Sequence, residues 1–333
     1  MTNLPETMRA IAIREPGGPD VLTEVQVPLP VPAQGEVLVA VEAAGVNRPD
    51  VLQRQGSYPP PPGASPLPGL EVAGTIVAVG EGIGPDVIGE RVCSLVAGGG
   101  YAEYACADYA QCLAIPPALS MEEAAAIPET LMTVWHNLFE RAYIVNGDSV
   151  LIHGGTSGIG TMAVALCRLF EITTIVTCGS DDKCRAALEW GAGHAINYRS
   201  EDFVEAVKRI TDGKGVTAVL DMVGGDYLPR NLECLAEDGR HVSIAVLGGA
   251  KADLFIPKIM MRRLTLTGST LRARTAGFKG LLVDEIRRTV WSMAEEGALR
   301  PALDRVFPLG EAAKAHALME AGEHFGKIVL KVR

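Results

Sequence analysis

Residues 149–166 read S-V-L-I-H-G-G-T-S-G-I-G-T-M-A-V-A-L: an apolar run ends in a glycine-rich turn, and apolar residues then recur at helical spacing. Glycine at positions 154, 158 and 160 lets the main chain turn tightly and lie close to a ligand. The helix that follows opens with unpaired N–H groups and the positive end of its dipole, which together suit a pyrophosphate. Gly154, Thr156, Ser157, Gly158, Ile159 and Gly160 are therefore candidates for cradling a dinucleotide. Any glycine-rich strand-to-helix turn shares this local pattern, so the surrounding elements must decide.

A dinucleotide with free ribose hydroxyls is usually read by an Asp or Glu at the end of the second strand, and that acid repels a 2'-phosphate. In V-T-C-G-S-D-D-K the strand end falls on Cys178 and Gly179, neither of them acidic. Asp181 and Asp182 are rivals, lying about 20 residues past Gly160 as an NAD-reading acid would. They have another explanation as first-turn residues of a helix capped by Ser180, where carboxylates favour the dipole. This predicts NADPH over NADH.

Metal chemistry has no footing in the spacing. The seven cysteines form no C-x-x-C pair, and the six histidines form no H-E-x-x-H or Cys/His cluster. The net charge of -10, with Lys and Arg scattered, opposes nucleic acid and anionic lipid as partners. No apolar run reaches the roughly 20 residues that span a bilayer, and residues 1–6 lack the order of a signal peptide. A cytoplasmic, membrane-free protein with reduced thiols is expected.

A chain of 333 residues exceeds one ordinary core and suits two. Its first part is dense in short β-like runs between Gly and Pro: 9–14, 37–41, 72–79, 91–96 and 101–105. Near Ser120 the pattern changes. S-M-E-E reads as a capping box, and 129–143 continues at helical spacing. Strands are then expected at 149–153, 173–178, 194–197, 218–222, 241–245 and 264–270. Helices are expected between them at 158–170, 181–190, 201–210, 228–236 and 254–262. Such alternation builds a doubly wound parallel sheet, a Rossmann-type α/β domain. A helix at 279–296, a strand at 303–307, a helix at 311–320 and a strand at 327–332 follow. These last strands have no place in the parallel sheet and are expected to return to the first module. The expected division is 1–128, 129–270 and 271–333, with the dinucleotide domain inserted into a discontinuous, strand-rich partner.

Short-chain dehydrogenases share the glycine spacing but place it at the chain start and use a Tyr-x-x-x-Lys acid. Here about 150 residues precede the turn, and no Tyr has Lys four places on. The module order instead resembles the medium-chain dehydrogenase/reductase superfamily, whose first module is GroES-like. G-V-N-R-P-D at 45–50 stands where that superfamily has G-[IV]-C-x-x-D, so Asn47 replaces a zinc-binding Cys. P-G-L-E-V-A-G at 68–74 stands for P-G-H-E-x-x-G, so Leu70 replaces a zinc-binding His. In place of the four-Cys structural-zinc lobe is A-G-G-G-Y-A-E-Y. The pattern is similar to the zinc-free, zeta-crystallin-type quinone oxidoreductases. The wording N-R-P-D-V-L-Q-R-Q-G-S-Y-P-P-P-P-G-A-S resembles their tumour-suppressor-inducible branch most, and A-A-A-I-P-E-T and G-K-I-V-L agree with the family.

The resemblance implies an NADPH-dependent enzyme that passes hydride to a quinone, whose conjugation spreads the charge and lessens the need for a Lewis acid. Reduction of α,β-unsaturated carbonyls and a non-catalytic NADPH-binding role are the alternatives. It further implies that Asn47 lies beside the nicotinamide and that Tyr58 contacts substrate or donates a proton. Helix capping by Asn47 and anchoring of the proline run by Tyr58 are the plainer readings. By the same resemblance Thr133 touches the nicotinamide, and Gly179, Ser180, Lys183 and Tyr198 hold the 2'-phosphate. Val246, Leu247, Gly248 and Leu271 form cofactor-facing loops, and Phe325, Gly326 and Lys327 close over the cofactor, Lys327 with its charge near the pyrophosphate. Many relatives carry a second Tyr where this chain has Leu52. A homodimer through the edge strand 264–270 is also implied.

Overall fold

The structure, a computed structural model, describes residues 4–333. Two units emerge: the chain up to Met132 together with Leu271–Arg333, and the continuous stretch Thr133–Thr270.

In the first unit Glu36–Val46 is the organising strand. Its sequence E-V-L-V-A-V-E-A-A-G-V is buried on both faces for most of its length, as a β-branched and alanine-rich run permits. The described sheet runs Leu303–Pro308, Lys327–Lys331, Glu36–Val46, Glu71–Val79, Arg91–Leu95, Cys112–Ala114, with Tyr104–Asp108 also paired to Glu36–Val46. The late strand Lys327–Lys331 thus lies antiparallel to Glu36–Val46, Ile328 opposite Val46. Val39, Val41, Ile76, Val92, Ile328 and Leu330 fill the core on this sheet, each fully buried aliphatic side chain contributing about 1.5–3 kcal/mol. A separate antiparallel hairpin pairs Thr7–Ile13 with Leu22–Pro28, a strand that the sequence pattern did not announce. The capping box is present: Ser120 Oγ accepts from Glu123 N–H (3.1 Å) and Glu123 Oε2 from Ser120 N–H (2.9 Å).

The second unit is a parallel six-stranded sheet in the order His194–Asn197, Thr173–Cys178, Ser149–His153, Val216–Asp221, Leu235–Ser243, Thr265–Gly268. Each crossover carries a helix, and Thr265–Gly268 forms one edge. The order reverses between Ser149–His153 and Val216–Asp221, the switch point at which such sheets bind ligands.

Several elements depart from the pattern, among them the helix expected over 279–296, which is broken at Val290 into Ala276–Thr289 and Trp291–Glu295. The helix expected over 129–143 is α-helical only at Pro128–Val134 and widens to a π-helix at Trp135–Arg141. The cause is local: Asn137 Nδ2 donates to the Thr133 carbonyl (2.8 Å), and the Ala142 N–H reaches back five residues to Asn137 O (3.0 Å). The helix expected over 228–236 stops at Cys234 because Leu235 already pairs with Val216. That expected over 254–262 shrinks to Ile256–Met261.

Candidate active site

The second unit presents the phosphate cradle. Gly154 has φ +72, and a Cβ on Gly160 would lie 2.3 Å from Gly154 O, so both positions demand glycine. Ser157 caps the helix Gly158–Leu169, its Oγ accepting from Gly160 N–H (3.0 Å). Thr156 is buried and Ile159 half-buried in the same turn. This close backbone approach beside a helix N-terminus fits a dinucleotide pyrophosphate.

At the end of Thr173–Cys178 the chain gathers a second group. Ser180 caps the helix Asp181–Trp190, accepting from Lys183 N–H (3.3 Å). A Cβ on Gly179 would lie 2.9 Å from the Tyr198 hydroxyl and 3.8 Å from Arg199 Nε, so phenol and guanidinium both stand over this glycine. Asp181 accepts from Asn197 Nδ2 (2.7 Å), and Asp182 pairs with Arg185. Both acids are engaged by neighbours, and the corner left around Gly179 is rich in donors. Arg199 was absent from the sequence reading; only its place beside Tyr198 could have signalled it. Val246 and Leu247 lie exposed in the loop before Gly248, whose N–H donates to Val223 O (2.7 Å).

The first unit holds a buried polar cluster. Asn47 follows Glu36–Val46 directly and caps the helix Arg48–Arg54. Its N–H donates to Asp50 Oδ2 (2.8 Å), its Nδ2 donates to Glu71 Oε1 (2.9 Å) and its Oδ1 accepts from Lys327 Nζ (2.5 Å). Lys327 Nζ also donates to Glu71 Oε1 (2.6 Å) and Val46 O (3.0 Å). Glu71 Oε2 accepts from Glu129 N–H (2.8 Å). Gly45 makes room: a Cβ there would lie 2.1 Å from Glu71 Oε1.

Lys327 therefore departs from expectation. Its side chain is 3% exposed and its three ammonium hydrogens are committed within this unit, not offered to a pyrophosphate. Glu71, fully buried, supplies the reason, because a carboxylate removed from water requires a counter-charge. Gly326, at φ +82, lies so close to Ala302 that a Cβ there would be 2.2 Å from its carbonyl oxygen. Phe325 N–H donates to Asp304 (2.9 Å) and Leu271 is buried, both uses belonging to packing in this unit. The residues do not fit zinc. Leu70 has no donor atom, and the oxygens of Asn47 and Glu71 already hold an ammonium. Among the described residues no group of three or more His, Cys, Asp or Glu is arranged to hold a metal ion.

Asp50 is fully buried and accepts from the main-chain N–H groups of Asn47 and Gly69 and from the Tyr101 hydroxyl (3.2 Å). Burial nevertheless raises its carboxyl to about 6. Tyr101 meets His316 Nε2 (3.1 Å), whose Nδ1 lies 3.4 Å from Arg54 Nη1, and Arg54 forks onto Glu320 (2.7 and 3.0 Å). Arginine can only donate, so His316 is neutral with its proton on Nε2, consistent with burial lowering it to about 3.

Tyr58 is half-buried, with the Arg272 guanidinium carbon 5.4 Å from its ring centre. Arg272 donates to Ala97 O (2.8 and 3.0 Å) and Gln53 Oε1 (2.7 Å), while its buried Nη1 has no partner. Burial, then the nearby Glu129 charge, raises the Tyr58 phenol. Glu129 is itself raised to about 8, by burial first and then by the Glu71 charge. Neither Arg272 nor Glu129 was given a role from the sequence: Glu129 lies within A-A-A-I-P-E-T, where nothing local marks its burial, and Arg272 adjoins Leu271 outside any motif.

A stability test follows from Glu129. A carboxyl whose folded pKa lies above the unfolded value retains a proton that the unfolded chain has lost, so stability falls as pH rises from about 4.5 to about 8. Glu129→Gln should flatten that decline, making the variant gain on the parent from pH 5 to pH 8 in urea midpoint. Parallel pH profiles for the two proteins would refute the assignment.

The description "Alcohol dehydrogenase GroES-like domain" covers a family model matching residues 33–117, and "Zinc-binding dehydrogenase" one matching 190–330. The chain is 32% identical to the quinone oxidoreductase of Lama guanicoe over 98% of both chains, and 30% identical to that of Rattus norvegicus over 97% of both. It also resembles the solved Escherichia coli quinone oxidoreductase complexed with NADPH, with TM-score 0.87 and 31% identity over 98% of this chain and 100% of that one. Full-length similarity of this kind, joined to a dinucleotide cradle and a lysine ammonium held by Asn47 and Glu71, assigns the chain to the zinc-free quinone oxidoreductases of the medium-chain dehydrogenase/reductase superfamily.

Proposed function

We propose that the protein reduces quinones at the expense of NADPH, without zinc. NADPH, when bound, supplies a hydride from C4 of its nicotinamide. The second unit holds the dinucleotide through Gly154, Thr156, Ser157, Gly158, Ile159 and Gly160. Gly179, Ser180, Lys183, Tyr198 and Arg199 take the 2'-phosphate, and Thr133, Val246, Leu247 and Gly248 contribute the contacts nearer the nicotinamide. In the first unit Asn47 positions the cofactor, held in place by Lys327 and Glu71.

One observation carries the reaction type: a buried guanidinium with an unpartnered Nη1 stands over Tyr58. Such a cation suits oxygen that gains negative charge during reduction, and the adjacent phenol can return a proton. Steady-state NADPH oxidation with 1,4-benzoquinone tests the reading, with trans-2-hexenal as the competing acceptor class. Arg272→Met should lower kcat/KM for the quinone by about 100-fold, the loss typical of one oxyanion donor, while leaving the NADPH dissociation constant unchanged. Turnover of the alkenal alone, or undiminished quinone turnover in the variant, would overturn it.

The assembly is read as a homodimer through the edge strand Thr265–Gly268. Phe255, Met260 and Met261 stand 66%, 71% and 68% exposed in the segment leading to that edge, a patch that invites a second copy. Light scattering at micromolar protein should give twice the chain mass; a monomer removes the claim. No helix among the described residues is long and apolar enough to cross a membrane, and the acidic balance supports a cytoplasmic setting.

A further inference from the structure

A cavity of about 560 Å³ lies in the first unit between the hairpin Thr7–Ile13/Leu22–Pro28, the loop 63–67, the segment 95–99 and the start of the helix Ala276–Thr289. Its apolar walls include Met8, Val27, Leu67, Leu95 and Val96, and polar side chains line the rest. Two of these are unusually buried. Gln111 is 5% exposed, and its Oε1 is buried with no hydrogen-bond partner. Lys279 is 5% exposed and lines the same cavity. A buried acceptor without a partner, such as Gln111 Oε1, is rare in native proteins, because it forfeits its bonds to water. Burial lowers the Lys279 pKa, with Glu129 and Asp108 opposing from nearby.

The remaining charges narrow the ligand. Asp108 and Glu36 line the same cavity, each with a carboxylate oxygen accepting a main-chain N–H, from Ala110 and Ala33 respectively, both at 2.9 Å. Two carboxylates beside one ammonium disfavour an anionic guest. We propose that this cavity binds a small neutral molecule of the carboxamide class, its apolar body against Met8 and Leu67, its carbonyl accepting from Lys279 and its N–H donating to Gln111 Oε1. The site lies beyond the reduction chemistry and needs neither NADPH nor a quinone.

The test uses the full chain, labelled with ¹³C at its methionine methyls, the Met8 signal being assigned through Met8→Leu. Titration with 2-naphthamide should move the Met8 signal saturably. Lys279→Met and Gln111→Leu should each weaken the dissociation constant by about fivefold, the size of one lost hydrogen bond. Should one variant fail to fold, the other carries the comparison. Absence of a saturable Met8 shift up to the probe's solubility, or unchanged affinity in the folded variants, would overturn the site. Tighter binding of 2-naphthoate than of 2-naphthamide would overturn the neutral head. Because the readout is binding without turnover, a failed quinone assay leaves this result standing, and the reverse.

Discussion

Lys327→Met should destabilise the protein by about 3–5 kcal/mol, the cost of leaving a buried ion without its partner. The ammonium is the cation bonded to Glu71, whose side chain is fully buried, and it also fixes Asn47 Oδ1 and Val46 O. Methionine keeps most of the length and removes the charge and all three donors. The carboxylate would then hold only the N–H groups of Asn47 and Glu129. Adding Glu71→Gln should restore a large part of the loss, because the uncompensated charge, not the missing contact, dominates the cost. Urea unfolding of the single and double variants measures both quantities. A single-variant loss below about 1 kcal/mol, the range of an exposed ion pair, would mean that water reaches Glu71.

Lys183→Glu should raise the KM for NADPH by at least tenfold and leave that for NADH within about twofold, since charge-assisted contacts are worth about 1.5–3 kcal/mol and only NADPH carries the phosphate. The geometry favours this outcome. Asp181 is held by Asn197 and Asp182 by Arg185, while Tyr198 and Arg199 crowd over Gly179. An acid reading ribose hydroxyls would need one of those two carboxylates to be released. Equal effects on the two cofactors, or a parent enzyme that prefers NADH in kcat/KM, would show that such a release occurs.

The sequence displayed the parts of this protein that depend on local pattern. The glycine turn, the alternation of strand and helix and the capping at Ser120 and Ser180 each arise from residues within a few positions of one another. The π-helix was not legible, because it depends on an Asn137 amide taking the carbonyl of Thr133, a choice that helical periodicity does not encode. Lys327 was legible as important, but its tie to Glu71 was not. Its partners lie 256 and 280 residues away, and only the folded sheet shows that Glu71 claims the charge first. Arg272 was hidden for the same reason: its orphaned Nη1 becomes meaningful only once Tyr58 and Ala97 are placed around it.

The pairing of Lys327–Lys331 with Glu36–Val46 bears on the order in which the chain matures during synthesis. The second unit is one uninterrupted stretch, so it can fold as soon as residue 270 has left the ribosome. The first unit must wait with the Ala43–Val46 end of its organising strand unpaired on one side, the Glu36–Ala40 end being already covered by Tyr104–Asp108, and with Glu71 lacking its cation until residues 327–331 emerge. Over that interval Ala43–Val46 is an exposed apolar edge, the kind of surface that chaperones bind and that aggregates when they do not.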